Sequence, residues 1–277
     1  PSFSYHEPWW KHYKLMGDYI GRISLAMSSG QQVNKTLVLQ PNTSAWMYFS
    51  RKGRNKAIDT IRDGFKHFVY LLEQYHLEYD LGSEYVMKTL GAVQGDKLQL
   101  GQRSYSLVVI PAEMENIDIS TFNLLETYLE NGGKVLSFRP DIPFLDGEES
   151  PEPGELAAEY TGQWIVAKNI SDPAALKMMA DSEFEMNDLS SNGMLYHQRR
   201  ILEDGQVLLV VNSHPDREAS AEVSLKGNYV SMLDLLTGEV FNYPGQVQNG
   251  ELTFSFDLAP AGSKLFAITA DRLSDKE

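Results

Sequence analysis

The hydrophobic period of this chain changes once along its length, and that change limits the fold more than any other feature. In the first part, short apolar runs alternate with stripes recurring every three or four residues. Towards the C-terminus the period falls to two. A helical period does not settle into strands, nor an alternating one into helices. The chain therefore needs two kinds of layer, and its 277 residues leave room for two compact domains.

The opening segment reads as one long helix. Trp9, Tyr13, Met16, Ile20, Ile23 and Met27 recur at steps of three and four, Pro8 suits the first turn, and Gly30 is a stop signal. Thr36–Gln40 is then a buried strand ended by Pro41. Ile58, Ile61, Phe65, Phe68, Leu72 and Tyr75 form a helical stripe, and a second strand is expected at Leu77–Leu81. Ser83 caps a short helix ending near Gly91, and Gly95-Asp96 turns a hairpin. Leu107–Pro111 is the clearest buried strand. Ser120 caps a helix closed by Asn131-Gly132-Gly133, and Lys134–Phe138 is a fourth strand. This alternation predicts a parallel, doubly wound α/β sheet of the flavodoxin or class I amidotransferase kind.

The Pro- and Gly-rich stretch Asp141–Gly154 reads as a surface loop, and Asp172-Pro173 begins another short helix. Beyond it, alternating segments at Val207–Asn212, Ala221–Leu225, Val230–Asp234, Leu252–Phe256 and Lys264–Ile268 are separated by turn signals such as Thr237-Gly238 and Asn249-Gly250. They predict an antiparallel β-sandwich. The expected division is a helical segment over 1–33, an α/β domain over 34–190 and a β-sandwich over 191–277.

Several chemistries are excluded or weakened. Cysteine is absent, which removes disulfides, thiolate metal sites and cysteine nucleophiles. No apolar run reaches the roughly 20 residues of a membrane span. A formal net charge of −14 repels nucleic acid, and the densest basic stretch, Arg51-Lys52-Gly53-Arg54-Asn55-Lys56, reads as a solvated turn. The six histidines show no metal-ligand spacing. The loop after the first strand, Gln40–Phe49, lacks the glycines of a phosphate-binding loop, so no cofactor is expected. The turn after Ile110 reads Pro111-Ala112-Glu113-Met114 and carries no Cys or Ser nucleophile.

What remains is weak. Asp80 and Glu84, expected at the carboxyl end of the second strand, form an acid pair of the kind a glycosidase needs, although Glu84 equally suits the first turn of a helix. In Tyr5-His6-Glu7-Pro8-Trp9-Trp10, aromatic faces stand beside carboxylate and imidazole groups, a mixture suited to sugars. Burial of one tryptophan is the plainer account. Ser44 and Trp46 could likewise lie near a sugar.

These residues carry a resemblance. Pro1–Trp10 and Asp18-Tyr19-Ile20-Gly21-Arg22-Ile23-Ser24 resemble the stretch that closes the catalytic barrel in large bacterial α-L-rhamnosidase-like glycoside hydrolases. Pro41–Trp46, Tyr79–Glu84 and Val93–Pro111 are similar to segments of the domain that follows it. Val211-Asn212 and Leu258–Ser263 are similar, less specifically, to accessory sandwiches of many glycosidases. The resemblance implies a (β/α)₈ barrel, an amidotransferase-like α/β domain, then β-sandwiches. The catalytic acids would lie before Pro1, so none is assigned here, and the first helix would be the barrel's last. It also implies an exported protein, periplasmic or secreted, and an α/β domain that could help form a homo-oligomer.

Three readings follow. The chain is a non-catalytic C-terminal accessory region of a glycoside hydrolase whose catalytic barrel precedes it. Otherwise it is a stand-alone carbohydrate-binding or scaffolding module, or an enzyme working through Asp80 and Glu84.

Overall fold

The computed structural model describes residues 4–32, 34–51, 53, 55–190 and 193–273, so Pro1, Ser2, Phe3, Lys52 and Arg54 of the segments above lie outside it. The chain divides into two compact units, one of Asn34–Asp181 and one of Pro1–Val33 with Ser182–Glu277.

The first unit is built on five parallel strands: β1 (Thr36–Leu39), β2 (Asp80–Gly82), β3 (Leu107–Ile110), β4 (Val135–Ser137) and β5 (Trp164–Val166). They lie in the order β5-β4-β3-β1-β2, the doubly wound flavodoxin-like order. Successive strand residues face opposite sides. Leu37, Leu39, Val108, Ile110 and Val135 meet Met87, Leu125, Tyr128, Leu129 and Leu156 on one side. Val38, Leu107, Val109 and Leu136 meet Phe68, Leu72, Ala175 and Met179 on the other. Burial on both faces explains why these strands read as unbroken apolar runs.

Several local expectations shift. The second strand starts at Asp80 rather than Leu77. Asp118, not Ser120, precedes the helix Ile119–Glu130. The 141–154 stretch holds the hairpin Phe144–Leu145 with Glu148–Glu149, turned by Asp146-Gly147 with both φ positive, and leads into the helix Glu152–Glu159.

The second unit packs the sheet β6 (Phe184–Asp188), β9 (Ala219–Lys226), β13 (Glu251–Leu258), β12 (Gln246–Gln248) on a second sheet. That sheet runs β7 (Leu195–Ile201), β8 (Gly205–Asn212), β14 (Ser263–Thr269), β10 (Tyr229–Leu233), β11 (Val240–Tyr243). Inward residues such as Val223, Phe254 and Phe256 meet Leu208, Val210, Val230, Phe266 and Ile268. The sandwich begins earlier than expected. Phe184–Asp188 pairs with Ala221–Leu225, so the boundary falls at 181/182 rather than 190/191.

The opening segment belongs to this same unit. It forms a 3₁₀ turn, Trp10–His12, and one helix, α1 (Tyr13–Ser28). Tyr19, Ile23, Ala26 and Met27 lie one turn apart and cover Val207, Leu235, Leu265 and Ala267 on the outer face of the five-stranded sheet. Polar contacts fix the register. The Tyr19 hydroxyl lies 2.6 Å from Ser263 Oγ, and Arg22 Nη1 donates to the carbonyls of Leu235 and Leu236 at 2.8 and 2.9 Å. The segment after the helix is tied as well: Gln31 and Ile201 exchange backbone hydrogen bonds, and Arg200 donates to the carbonyls of Ser29 and Gly30. Gly30 sits at φ 57°, where an added Cβ would lie 2.1 Å from the Ile201 carbonyl oxygen. Among the described residues no helix is long and apolar enough to cross a membrane.

Candidate functional site

Open α/β sheets bind ligands outside the carboxyl ends of their strands where the strand order reverses, here between β1 and β3. The polar side chains at that point are committed to the backbone. Ser44, wholly buried in the helix Asn42–Met47, accepts from the N–H groups of Glu115 and Asn116 at 2.8 and 3.0 Å. Thr43 donates its hydroxyl to Glu84 Oε1, and Glu84 Oε2 accepts the N–H of Asp118 at 2.6 Å. Glu84 lies in the first turn of the helix Glu84–Leu90 and is only 2% exposed. Burial pushes its carboxyl above the ordinary range, against the two hydrogen bonds it accepts. Tyr48 donates to Glu115 Oε2 at 2.6 Å. Hydrogen bonds within the fold thus occupy these polar side chains.

The turn after β3 holds Glu113 where a hydrolase of this fold would carry its nucleophile. Its carboxylate fills the space left by Gly64 of the helix Lys56–Gln74, where a Cβ would lie 2.3 Å from Oε1. Burial raises its pKa, and Oε2 has no hydrogen-bond partner among the described residues. The nearby Arg139 guanidinium is spent on the carbonyls of Ala112 and Asp141, at 3.0 and 2.6 Å. A carboxyl held toward its neutral form could donate a proton, and the charged groups that act on it are Arg139 and His67 of the neighbouring helix. Sequence reasoning read this turn only for the nucleophile it lacks. The signal for Glu113 was the lone Gly64 inside a helical stripe.

Asp80 and Glu84 do not form a pair. Asp80 opens β2 rather than closing it, and its partners come from the amino ends of neighbouring strands. Asn34 Nδ2 donates to Oδ1 and the Tyr105 hydroxyl to Oδ2, each at 2.8 Å, with Arg103 Nε 3.8 Å away. Glu84 is bound to segments at the carboxyl ends. The two carboxylates share no partner and serve opposite edges of the sheet. Ser44, wholly buried, is likewise no sugar contact, whereas Trp46 is 67% exposed beside the exposed Phe49.

In the sandwich unit, Tyr5 and His6 stack with centroids 4.0 Å apart, and the Glu7 carbonyl accepts the N–H of Trp10. Trp9 and Trp10 are both exposed, and the Trp10 ring stands edge-on to Tyr13 at 5.9 Å. Trp9 and Trp10 are thus exposed in a turn leading into α1, and among the described residues no hydrogen bond or ring contact joins their side chains to those of His6 or Glu7. Among the described residues no group of three or more His, Asp or Glu could hold a metal ion.

No protein-family profile and no curated protein matches the sequence. Solved structures do match. A rhamnosidase from Novosphingobium sp. PP1Y superposes with a TM-score of 0.71 at 14% identity, over 99% of this chain and 26% of that one. A GH42 β-galactosidase from G. stearothermophilus, in a catalytic mutant form, gives 0.55 at 10% identity over 94% of this chain and 43% of that one. An α-L-fucosidase from Paenibacillus thiaminolyticus gives 0.50 at 12% identity, over 92% and 51%. This chain has the fold of a region of glycoside hydrolases, and spans about a quarter of the rhamnosidase and under half of the β-galactosidase.

Proposed function

We propose that this chain is the non-catalytic C-terminal accessory region of a glycoside hydrolase acting on plant or microbial polysaccharide, with the catalytic barrel as its partner. The observation that carries this reading is the division of α1 into two faces. Tyr19, Arg22 and Ile23 grip the sandwich, while Leu15, Met16, Ile20 and Leu25 stay exposed beside Trp9 and Trp10. Gly17 and Gly21 have open space where a Cβ would stand, so a neighbouring helix could approach the backbone there. Such a helix is built to join two bodies. The elbow of the α/β unit, lacking a nucleophile, supports a structural role for that unit, and assembly into an oligomer and export from the cell follow the same analogy.

The exposed Trp9, Trp10 and Trp46 favour a second reading, a carbohydrate-binding or scaffolding module that works alone. The test is hydrolysis of aryl glycosides of rhamnose, galactose and fucose by this chain and by the longer gene product. Activity in the longer protein alone, reduced by Ile20→Asp, is the expected result. Turnover by this chain itself, or saccharide binding with no hydrolysis in any longer product, would overturn it.

A further inference from the structure

We infer that the open corner of the β-sandwich, walled by Tyr229, Tyr243 and the strand end Ala270–Arg272, is a binding site for a neutral saccharide unit. The corner forms where Pro244-Gly245 carries the chain from β11 into β12. Both are edge strands, so no further strand closes the space between the two sheets there. The result is a cavity of about 880 Å³, within the range of small-ligand pockets.

Its wall has the chemistry of a polyhydroxylated ligand. Tyr243 packs on Phe266 at 4.9 Å, which holds its ring in place, and Tyr229 presents a second, part-exposed ring. The Tyr243 hydroxyl donates to the Ser255 carbonyl at 3.2 Å, which further fixes the ring. Asp271 and Arg272 add an acceptor and a multiple donor. The Arg272 guanidinium lies 5.6 Å over the Tyr229 ring and forms no ion pair among the described residues. A sugar offers C–H faces to the rings, and hydroxyls that both donate and accept. An anion would meet Asp271 and a chain of net charge −14, and a cation would meet Arg272. A neutral sugar alone uses every group.

This site is distinct from the tryptophan surfaces, and it rests on the glycosidase reading only for the choice of sugars. The experiment is calorimetric titration of the chain with neutral oligosaccharides ending in rhamnose, galactose or fucose. One saturable site is expected. Tyr229→Ala and Arg272→Ala should each weaken it about tenfold or more, while Tyr229→Phe, which keeps the ring, stays within about twofold. Trp46→Ala should leave it unchanged. Both wall residues lie at the surface, so a circular-dichroism spectrum matching wild type excludes misfolding as the cause. No saturable binding of any probe, or binding indifferent to Tyr229 and Arg272, would overturn the inference. Either result leaves the hydrolysis assay of the longer protein free to succeed or fail by itself.

Discussion

The two units use buried polar groups in opposite ways. At the carboxyl edge of the α/β sheet, Ser44, Thr43 and Glu84 hold the backbone of 115–118 against the helices that follow β1 and β2. These side chains of the fold's usual ligand crevice are taken up by hydrogen bonds within the fold. The sandwich has one comparable pin, Asn212, wholly buried. Its Oδ1 accepts from Met194 and His214 N–H at 3.3 and 3.0 Å, and its Nδ2 donates to Arg217 and Ala259 carbonyls at 2.7 and 3.1 Å. At its open corner, by contrast, the Arg272 guanidinium lies over the Tyr229 ring and forms no ion pair among the described residues. Fold precedent points to the α/β edge for ligand binding, but apart from Glu113 Oε2 the polar groups described there are spent, whereas Arg272 at the sandwich corner is not. Satisfied groups build structure, and unsatisfied ones are left for something else.

The largest effect expected from breaking this contrast is at Asn212. Asn212→Ala removes the partner of the Met194 and His214 N–H groups and of the Arg217 carbonyl at a part-buried turn, while the Ala259 carbonyl keeps the Gly262 N–H, which should cost about 2–3 kcal/mol of sandwich stability. Urea denaturation followed by near-ultraviolet circular dichroism checks it. A loss below about 1 kcal/mol would mean that solvent reaches the site and that the pin is dispensable.

This pin also shows what the sequence could and could not reveal. Val211-Asn212 and Leu258–Ser263 read as sandwich-like, and the Asn212 amide joins the two segments. The β1, β3 and β4 runs were plain because both faces are buried. Phe184–Asp188 and Leu195–Ile201 were missed because charged and polar residues dilute the alternation on half-exposed strands. The supposed pair of Asp80 and Glu84 failed for a different reason. Only three residues separate them in sequence, but a strand and a turn carry them to opposite edges of the sheet, and spacing does not see that. The α1 stripe was legible as a helix. Which of its two faces would be covered was not, because exposed Met16 and Ile20 look like covered Ile23 and Met27 in one dimension.

The helix faces supply the next effect in size. Ile23→Ala removes part-buried methylenes from the α1–sandwich contact and should cost about 1–2 kcal/mol. Ile20→Ala, three residues away on the open face, should change this chain by less than about 0.5 kcal/mol. Thermal melts of the two variants compare them directly. Equal losses would show that the outer face is already covered, by a second copy of the chain, and sedimentation would then report a dimer.

The smallest effect tests whether Glu84 is spent on structure at an electrostatic cost. Its folded pKa is raised, chiefly by burial. Its contribution to stability is therefore fully present below the ordinary glutamate value of about 4.3, and is lost as pH rises through the raised value. Glu113 has the same sign, while exposed Asp63, lowered by its hydrogen bond to Arg62, has the opposite one. Both remain in a Glu84→Gln protein, so the difference between the two proteins isolates Glu84. Glutamine keeps an acceptor for one of the two donors, Thr43 or Asp118 N–H, and presents an N–H to the other. The variant should therefore be less stable than wild type near pH 4.5, with the gap narrowing or reversing towards pH 7. Urea midpoints across that range measure it. Parallel curves would mean that Glu84 stays charged in the fold without penalty, and that water reaches its carboxylate.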